Sequence, residues 1–276
     1  MDMLVQSTDV PKQMTFRRAA RKAVAMCVSD FAAKGVKPDS FLVSVGLPRG
    51  VTKKLVREIS LGLRDASREW GLKLVGGDTS EAAELTVNCV MAGFADKYVK
   101  RTGAKVGDAV VVTGFFGYPP AGLKILKGAK ASRSFRRKAV GSVLKPTPNL
   151  RLGMALAGYW TASMDSSDGL ARSLHVLSKA SGVGIELERL PIGRGVAGFA
   201  KSNGLASGKL VLEGGEEYLV VGTMRPYKVR AAERVARRVG GELLEIGRTT
   251  GESGSVILRV GGALKPIADV GWVHLR

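Results

Sequence analysis

The hydrophobic periodicity of this chain switches repeatedly between helical and strand-like spacing, and this alternation most constrains the fold. Ala20 and Val24 belong to an apolar stripe that predicts a helix over 16–34. Thr15 is suited to cap that helix and Gly35 to end it. Further helices are predicted over 52–70, 120–126, 150–159, 169–180 and 229–239. Strands are predicted over 40–45, 72–75, 85–94, 109–113, 185–187, 242–246 and 256–260. The alternation favours a mixed α/β (α+β) fold.

A polar, basic segment near residue 100 separates two such mixed units. The stretch KYVKRTGAKVGD, residues 97–108, leads into an apolar strand and contains few residues that could enter a core. We therefore predict an N-terminal domain over 1–98 and a C-terminal domain over 99–276.

The charge balance is strongly basic. The chain has 43 Lys and Arg against 24 Asp and Glu, a net charge of +19. Such an excess favours anionic partners, namely nucleic acid, an acidic membrane surface or phosphate-rich small molecules. The alternative is a solvated cationic surface that keeps the protein soluble. Aromatic residues make up 6% of the chain, which gives little support to specific nucleic-acid binding.

Other features exclude several classes of protein. Cys27 and Cys89 are too few for a disulfide scaffold or a CxxC zinc site, and both are interpreted as small core residues. No apolar run reaches the roughly 18 residues of a membrane helix, and the first residues do not resemble a signal peptide. We therefore expect no membrane partner and a cytoplasmic location.

Acidic residues are the minority charge, so their positions are informative. Several of them lie among small or glycine residues beside apolar runs: Asp30, Asp78, Asp165 and Asp168. Taken singly, each is best explained as a turn residue or a helix cap, and Ser167 or Asp168 is a candidate cap for the helix that follows. Together they indicate Mg²⁺, because clustered carboxylates repel unless a cation neutralises them. Magnesium held in this way usually binds substrate phosphates as well.

The remaining motifs are weak. No Walker-type phosphate loop is present, and the G-x-G-x-x-G match at 193–198 is interpreted as a loop entering a helix. His175 lies within a helical pattern and is expected to be structural, and His274 is the other histidine. The basic run 133–138 is interpreted as a solvated face, with contacts to phosphate as the alternative.

Taken in order, the motifs resemble those of the thiamine-monophosphate kinase family, within the superfamily of aminoimidazole-ribonucleotide synthetase. They are DMLVQSTDVP, CVSDFAAKGVKP, LVGGDTS, KRTGAKVGDAVVVTGFFG, KPTPNLRLG, MDSSDGLARSL, GGEEYLV and GWVHL. GGDT with DxSDG marks the superfamily. The DMLV and SDFAAKG segments, GGEEY and the terminal GW favour the thiamine-phosphate branch.

The resemblance implies a two-domain α/β architecture and a homodimer formed through the N-terminal domain. It implies Mg²⁺ as cofactor, held by Asp2, Asp30, Asp78, Asp165 and Asp168. It implies ATP as co-substrate, contacted by Gly77, Asp78, Arg101 and Ser167. It places thiamine monophosphate against Glu216 and Trp272. Asp78, Arg101 and Asp168 are the residues expected to carry catalysis.

The chain departs from the family pattern in two respects. It begins at Met1-Asp2 without the family's GDDA-like segment, so the N-terminal domain is expected to lack its first strand. A histidine that contacts substrate in many family members falls at Asp9, so Asp9 is expected to contact the substrate, for example through the cationic thiamine part.

The favoured function is direct phosphorylation of thiamine monophosphate by ATP. Three alternatives stay open: another ATP-dependent enzyme of the superfamily, either a synthetase or a dehydratase; a truncated, inactive homologue; and a basic nucleic-acid-binding module.

Overall fold

The computed structural model describes residues 1–272, which form two β-sheets with helices packed against them. The strands are β1 (Asp2–Val5), β2 (Pro38–Leu47), β3 (Lys73–Glu81), β4 (Thr86–Gly93), β5 (Ala109–Val112), β6 (Trp160–Ser166), β7 (Gly184–Leu187), β8 (Leu219–Met224), β9 (Leu244–Thr250), β10 (Val256–Val260) and β11 (Ala263–Pro266). The helices are α1 (Gln6–Asp9), α2 (Phe16–Lys34), α3 (Lys53–Trp70), α4 (Tyr118–Leu126), α5 (Arg133–Leu144), α6 (Leu150–Leu156), α7 (Leu170–Ser181), α8 (Val196–Ser202), α9 (Ser207–Glu213) and α10 (Pro226–Arg238). These elements confirm the mixed α/β fold. His274 and the end of the GWVHL motif lie outside the described residues.

The first sheet has four strands in the order β1-β4-β2-β3. β2 runs parallel to β3 and antiparallel to β4, which in turn runs antiparallel to β1. Along β2, Phe41, Val43 and Val45 are buried on one face and share a core with apolar residues of α2 and α3. The opposite face of this sheet is open, because the alternate residues Leu42 and Ser44 are exposed.

Helix α2 has the predicted limits and connects the two halves of the molecule. The Thr15 hydroxyl accepts a hydrogen bond from the Arg18 backbone N–H at 3.3 Å, and Gly35 ends the helix with a left-handed φ of 65°. One side of α2 packs against α3, β1 and β4, and another packs against α6, β6 and β8. The helix therefore lies between the two sheets, and its polar residues can reach both.

Strand β3 is longer than predicted. The predicted strand stops at Val75, whereas β3 continues through Gly76, Gly77 and Asp78 to Glu81. A Cβ on Gly77 would lie 2.3 Å from the backbone oxygen of Val43, so glycine there allows β3 to pair closely with β2. All nine residues of β3 are exposed.

The second sheet has seven strands in the order β11-β10-β7-β9-β5-β8-β6. Val110 of β5, Met164 of β6 and Leu174 of α7 belong to its main apolar cluster. β6 is the edge strand on the side of α2, and it ends at Ser166, where the DxSDG motif begins to turn toward α7. This edge therefore carries the motif to the boundary between the two sheets.

Several local predictions are confirmed. Helix α8 begins directly after Gly195, so the G-x-G-x-x-G match is a loop entering a helix. His175 is buried, and its Nε2 lies 2.8 Å from the backbone oxygen of Ile267, which fits a structural role. Cys27 and Cys89 are free and buried in the first core.

Two other predictions need correction. Helix α7 begins at Leu170, and the residue at its N-cap position is Gly169 instead of Ser167 or Asp168. Helix α10 begins at Pro226, earlier than predicted, because proline is favoured in the first turn of a helix. Within residues 1–272, no helix has the length and apolar character needed to cross a membrane.

Candidate active site

A group of acidic side chains lies where α2 passes between the sheets. Asp2 comes from β1, Asp30 from α2 and Asp165 from β6. The Ser29 hydroxyl donates a 2.7 Å hydrogen bond to Oδ2 of Asp165, which fixes that buried carboxyl group against α2. Oδ2 of Asp2 is buried and has no hydrogen-bond partner among the described residues. We call Asp2, Asp30 and Asp165 the acidic cluster.

The electrostatics of the acidic cluster show that its members affect each other. The pKa of Asp165 is raised to about 7, chiefly by burial and then by the charge of Asp30, whereas the Ser29 hydrogen bond opposes the shift. Burial, followed by the charge of Asp2, also raises the pKa of Asp30, against the opposing effects of Arg101 and Lys34. A bound cation would relieve this repulsion.

The donor set of the acidic cluster suits magnesium. Within residues 1–272, no three His, Cys, Asp or Glu side chains are arranged to bind one metal ion together. Mg²⁺ is commonly held by one or two carboxylates and completes its shell with water and phosphate oxygens. The unpartnered buried oxygen of Asp2 beside Asp30 and Asp165 is consistent with such a site.

Three motifs from distant parts of the chain meet beside the acidic cluster. The backbone N–H of Glu216 donates to the Ser167 oxygen at 2.7 Å, and that of Tyr218 donates to the Ser166 oxygen at 3.0 Å. The backbone N–H of Trp272 donates to the Asp168 oxygen at 3.0 Å. DxSDG, GGEEY and the terminal GW therefore form one continuous surface.

Two glycines make these approaches possible. A Cβ on Gly215 would lie 2.6 Å from the Ser167 oxygen, and one on Gly271 would lie 2.3 Å from the Asp168 oxygen. Both distances are shorter than a carbon–oxygen contact allows. The glycines of GGEEY and GW therefore serve to bring backbone against the DxSDG turn.

Loop 214–218 carries two residues with unusual backbone geometry. Glu216 has a φ of 64° and Tyr218 a φ of 50°, both in the left-handed region that non-glycine residues rarely adopt. Burial raises the pKa of the Tyr218 hydroxyl well above its usual value, and the charges of Glu216 and then Asp9 add to the shift, followed by those of Asp165 and Asp2. Tyr218 therefore lies between the acidic cluster and the predicted substrate residues.

A lysine links two of the predicted substrate residues, Asp9 of α1 and Glu216 of loop 214–218. The Nζ of Lys22 binds the carboxylate of Glu216 and the backbone oxygen of Asp9. The carboxylate of Asp9 accepts a 2.7 Å hydrogen bond from the Val5 backbone N–H, which closes the turn after β1. Asp9 and Glu216 are therefore brought together, as Glu216 and Trp272 are through the DxSDG turn.

The predicted nucleotide residues divide into two groups. Arg101 is exposed, and its charge acts on both Asp30 and Lys34, so it lies beside the acidic cluster. Asp78 of β3 pairs with Ser44 of β2, whereas Asp2 of β1 stands in register with Cys89 of β4 on the far side of the same sheet. Three strand spacings separate them, about 14 Å. Within one chain, Gly77 and Asp78 are not brought to the acidic cluster.

Sequence reasoning missed four polar residues of this region. They are Lys22, Ser29, Lys34 and Tyr218. A lysine flanked by Ala19, Ala20 and Ala23 in a helix was the one available signal, since small apolar neighbours indicate burial. The positive φ of Tyr218 has no counterpart in the sequence pattern.

Comparisons with known proteins identify the family of this chain. A family model described as AIR synthase related protein, N-terminal domain, matches residues 1–95. Thiamine-monophosphate kinase of Nitrosopumilus maritimus is 40% identical over 276 residues, which are 100% of this chain and 88% of the relative. Thiamine-monophosphate kinase of Pyrococcus abyssi is 35% identical over 277 residues, covering 99% of this chain and 84% of the relative.

A solved structure supports the same assignment. It is described as AaThiL complexed with AMPPCP and TMP, and it superimposes with a TM-score of 0.88 at 27% identity. The match covers 99% of this chain and 85% of the solved chain. With relatives 40% and 35% identical over 100% and 99% of its length, this chain belongs to the thiamine-monophosphate kinase family.

Proposed function

We propose that this chain transfers the γ-phosphoryl group of ATP directly to thiamine monophosphate, giving thiamine diphosphate and ADP. The observation that carries the proposal is the meeting of the DxSDG turn, loop 214–218 and Trp272 beside the acidic cluster. The named relatives are thiamine-monophosphate kinases, and one solved relative is complexed with AMPPCP and TMP.

The chemistry needs no catalytic base. A phosphate oxygen of thiamine monophosphate is already ionised at neutral pH and can attack the γ-phosphorus of ATP. The new bond joins that oxygen to phosphorus, while the bond to the β-phosphate oxygen breaks and ADP leaves with its electron pair. The proposed site accordingly contains carboxylates and cationic side chains. His175 lies elsewhere, and its ring contacts the backbone oxygen of Ile267.

The acidic residues of the site are proposed to hold magnesium. Asp2, Asp30 and Asp165 form the acidic cluster, and Asp168 lies in the DxSDG turn beside it. Magnesium bound there would neutralise phosphate charge as it develops in the transition state. Arg101, which acts on Asp30, is placed to add a fixed positive charge to the same region.

The predicted ATP contacts do not lie together within one chain. Gly77 and Asp78 are on β3, whereas Ser167 is in the DxSDG turn after β6. We propose that a homodimer formed through the N-terminal domain completes the nucleotide site with β3. Support comes from the exposure of every residue of β3, including Leu74 at 46% and Val75 at 58%, which is unusual for apolar strand residues.

The substrate residues are proposed to hold the thiamine part of thiamine monophosphate. Trp272 is half-exposed, and its backbone is fixed to Asp168, so its ring can stack on a cationic heterocycle. Glu216 and Asp9 are joined through Lys22 on the neighbouring surface.

The division into domains over 1–98 and 99–276 and a cytoplasmic location also remain proposals. The first sheet is complete by Gly93 and the second begins at Ala109, so the proposed boundary falls between them. Two free, buried cysteines are compatible with a reducing compartment.

The test is a coupled ADP-release assay on this chain with ATP, thiamine monophosphate and Mg²⁺. Release of ADP should require all three and should stop when EDTA is added. Unphosphorylated thiamine and a carbamoyl substrate serve as controls for other acceptors. ADP release that is greater with the carbamoyl substrate, or indifferent to thiamine monophosphate, would contradict the proposed function.

A further inference from the structure

One of the largest fully buried side chains in the described part of this protein belongs to a lysine, Lys22 of α2. Burying an ammonium group is strongly unfavourable unless it is paired and hydrogen-bonded. An apolar residue of similar volume would fill the same position without that cost. The charge of Lys22 therefore requires a role that an apolar side chain could not perform.

The two partners of Lys22 come from opposite halves of the molecule. Its Nζ donates to the backbone oxygen of Asp9 at 2.8 Å, in the turn that follows β1. It also donates to Oε1 of Glu216, in the loop that precedes β8. Lys22 thus joins the first sheet to loop 214–218 through a single ammonium group.

Loop 214–218 needs such an anchor. The left-handed backbone of Glu216 and Tyr218 is unfavourable for non-glycine residues and persists only when the surroundings hold it. Backbone hydrogen bonds to Ser166 and Ser167 hold one side of the loop. The ion pair with Lys22 holds the Glu216 side chain on the other side and uses Oε1, which leaves Oε2 outside the pair.

We propose that Lys22 is a positioning residue for thiamine monophosphate, acting through Glu216 and Asp9. The inference rests on the proposed function, because it takes these two residues as substrate contacts. By holding both, Lys22 sets the distance between the part of the substrate site on the first sheet and the part on loop 214–218. Of the proposed ATP contacts, Gly77 and Arg101 lie outside loop 214–218, and Ser167 accepts a hydrogen bond from the loop through its backbone oxygen. Lys22 binds the side chain of Glu216 instead, so it should affect the acceptor more than the nucleotide.

The test replaces Lys22 with methionine, which has similar length and no charge. In Lys22→Met, the KM for thiamine monophosphate should rise about ten- to a hundredfold, because a charged hydrogen bond that orders the site is lost. The KM for ATP should change by less than about threefold. A purely structural role would lower kcat or move both KM values together.

The matched control is the ion pair that the residue next to Lys22, Arg21 of α2, forms with Glu69 of α3. Arg21 is also buried, and its guanidinium binds Glu69 at 2.7 Å, in a pair that includes neither Asp9 nor Glu216. Glu69→Gln removes one carboxylate partner of a buried cation, and it should lower the melting temperature while both KM values stay unchanged. A Glu69→Gln effect on the thiamine monophosphate KM equal to that of Lys22→Met would overturn the inference.

A double variant keeps the test decisive if Lys22→Met does not fold. Lys22→Met with Glu216→Gln removes both charges and leaves neither one unpaired. It should fold and retain the raised KM for thiamine monophosphate. A double variant with the wild-type KM would overturn the inference.

Binding measurements separate this inference from the proposed function. The dissociation constant of thiamine monophosphate is measured by calorimetry with Mg²⁺ and a non-hydrolysable ATP analogue, in the wild type and in the Lys22 variants. Wild-type binding that weakens in the variants without any turnover would overturn the proposed kinase function alone. An unchanged dissociation constant in the variants would overturn the role of Lys22, and no wild-type binding at all would overturn both.

Discussion

Asp165 and Asp78 have the same side chain in opposite settings. Asp165 is buried at the end of β6, is bound by Ser29 of α2 and interacts with Asp30 of the acidic cluster. Asp78 lies on β3, where all nine residues are exposed. The first setting is complete within one chain, whereas the second depends on what covers β3. The proposed site therefore consists of a half that folding builds and a half that, we propose, dimerisation builds.

The strongest test of the folded half is Asp165→Asn. Turnover should fall by about a thousandfold, because a carboxylate proposed to hold magnesium is lost at the reacting phosphates. Asparagine keeps an oxygen that can accept the Ser29 hydrogen bond and removes one of three mutually repelling charges, so stability without Mg²⁺ should not fall. Coupled ADP release and thermal unfolding with EDTA measure the two effects. Wild-type turnover in this variant would remove Asp165 from the mechanism.

Asp78→Asn tests the exposed half. Mg²⁺-dependent turnover should fall by about a hundredfold while the fold remains intact, because the side chain on β3 is exposed and contributes little to stability. ADP release is measured over a range of Mg²⁺ concentrations, with melting temperature as the control. Near-normal turnover would count against Asp78 as a magnesium ligand, and a large fall in melting temperature would show that its role is structural.

A charge on β3 tests the proposed homodimer itself. Val75→Glu should leave the protomer folded, because Val75 is 58% exposed in the single chain. It should dissociate the dimer, since an unpaired carboxylate in an apolar interface is unfavourable, and turnover should fall at least about tenfold. Sedimentation velocity and ADP release measure both. Val106→Glu, at a site 61% exposed outside the first sheet, is the control and should remain dimeric.

Either of two results would contradict this part of the comparison. The first is a wild-type chain that sediments as a monomer and is fully active. The second is a Val75→Glu variant that remains dimeric with wild-type turnover. Either result would mean that β3 does not have to be covered by a second copy for Asp78 to act.

For the half of the site that folding builds, the sequence predicted the helix limits better than the contacts between the elements. Thr15 and Gly35 mark both ends of α2 because capping is a local property that residue types encode directly. The chain separation between Asp30 and Asp165 carries no such local signal, and the family resemblance, not periodicity, placed them together. The contact that fixes them, Ser29 to Asp165, joins residues 136 positions apart.

Elsewhere, long-range packing decided what local rules could not. Glycines at 76 and 77 suggested the end of a strand, yet Gly77 permits close pairing with Val43 and β3 continues. Ser167 was a reasonable helix cap by residue type, but its backbone oxygen is used by Glu216 and Gly169 precedes the helix instead. Lys22 escaped prediction because its partners lie in two other segments of the chain.

Changing Glu217 should have the smallest effect on turnover, so this residue separates the effect of burial on stability from an effect on catalysis. This carboxyl group belongs to loop 214–218 and is half-buried, and its Oε1 accepts a 2.5 Å hydrogen bond from the Gly117 backbone N–H. Burial raises the pKa of Glu217 to about 8 from 4.5, and the Gly117 hydrogen bond opposes the shift only in part. The folded protein therefore retains a proton that the unfolded chain releases near its ordinary pKa.

The sign of the pH dependence follows from that difference. Between about pH 4.5 and pH 8 the unfolded state is ionised and the folded state is protonated, so the free energy of unfolding falls as the pH rises, by at most about 1.4 kcal/mol per pH unit from this group. Glu217→Gln keeps an oxygen for Gly117 and cannot ionise. Its melting temperature should exceed that of the wild type at pH 8 and match it near pH 4.5. The melting temperature of Asp78→Asn, on exposed β3, should not separate from that of the wild type in this way as the pH rises. A wild-type melting curve that does not separate from that of Glu217→Gln over this range would show that burial alone does not control the charge of this carboxyl group.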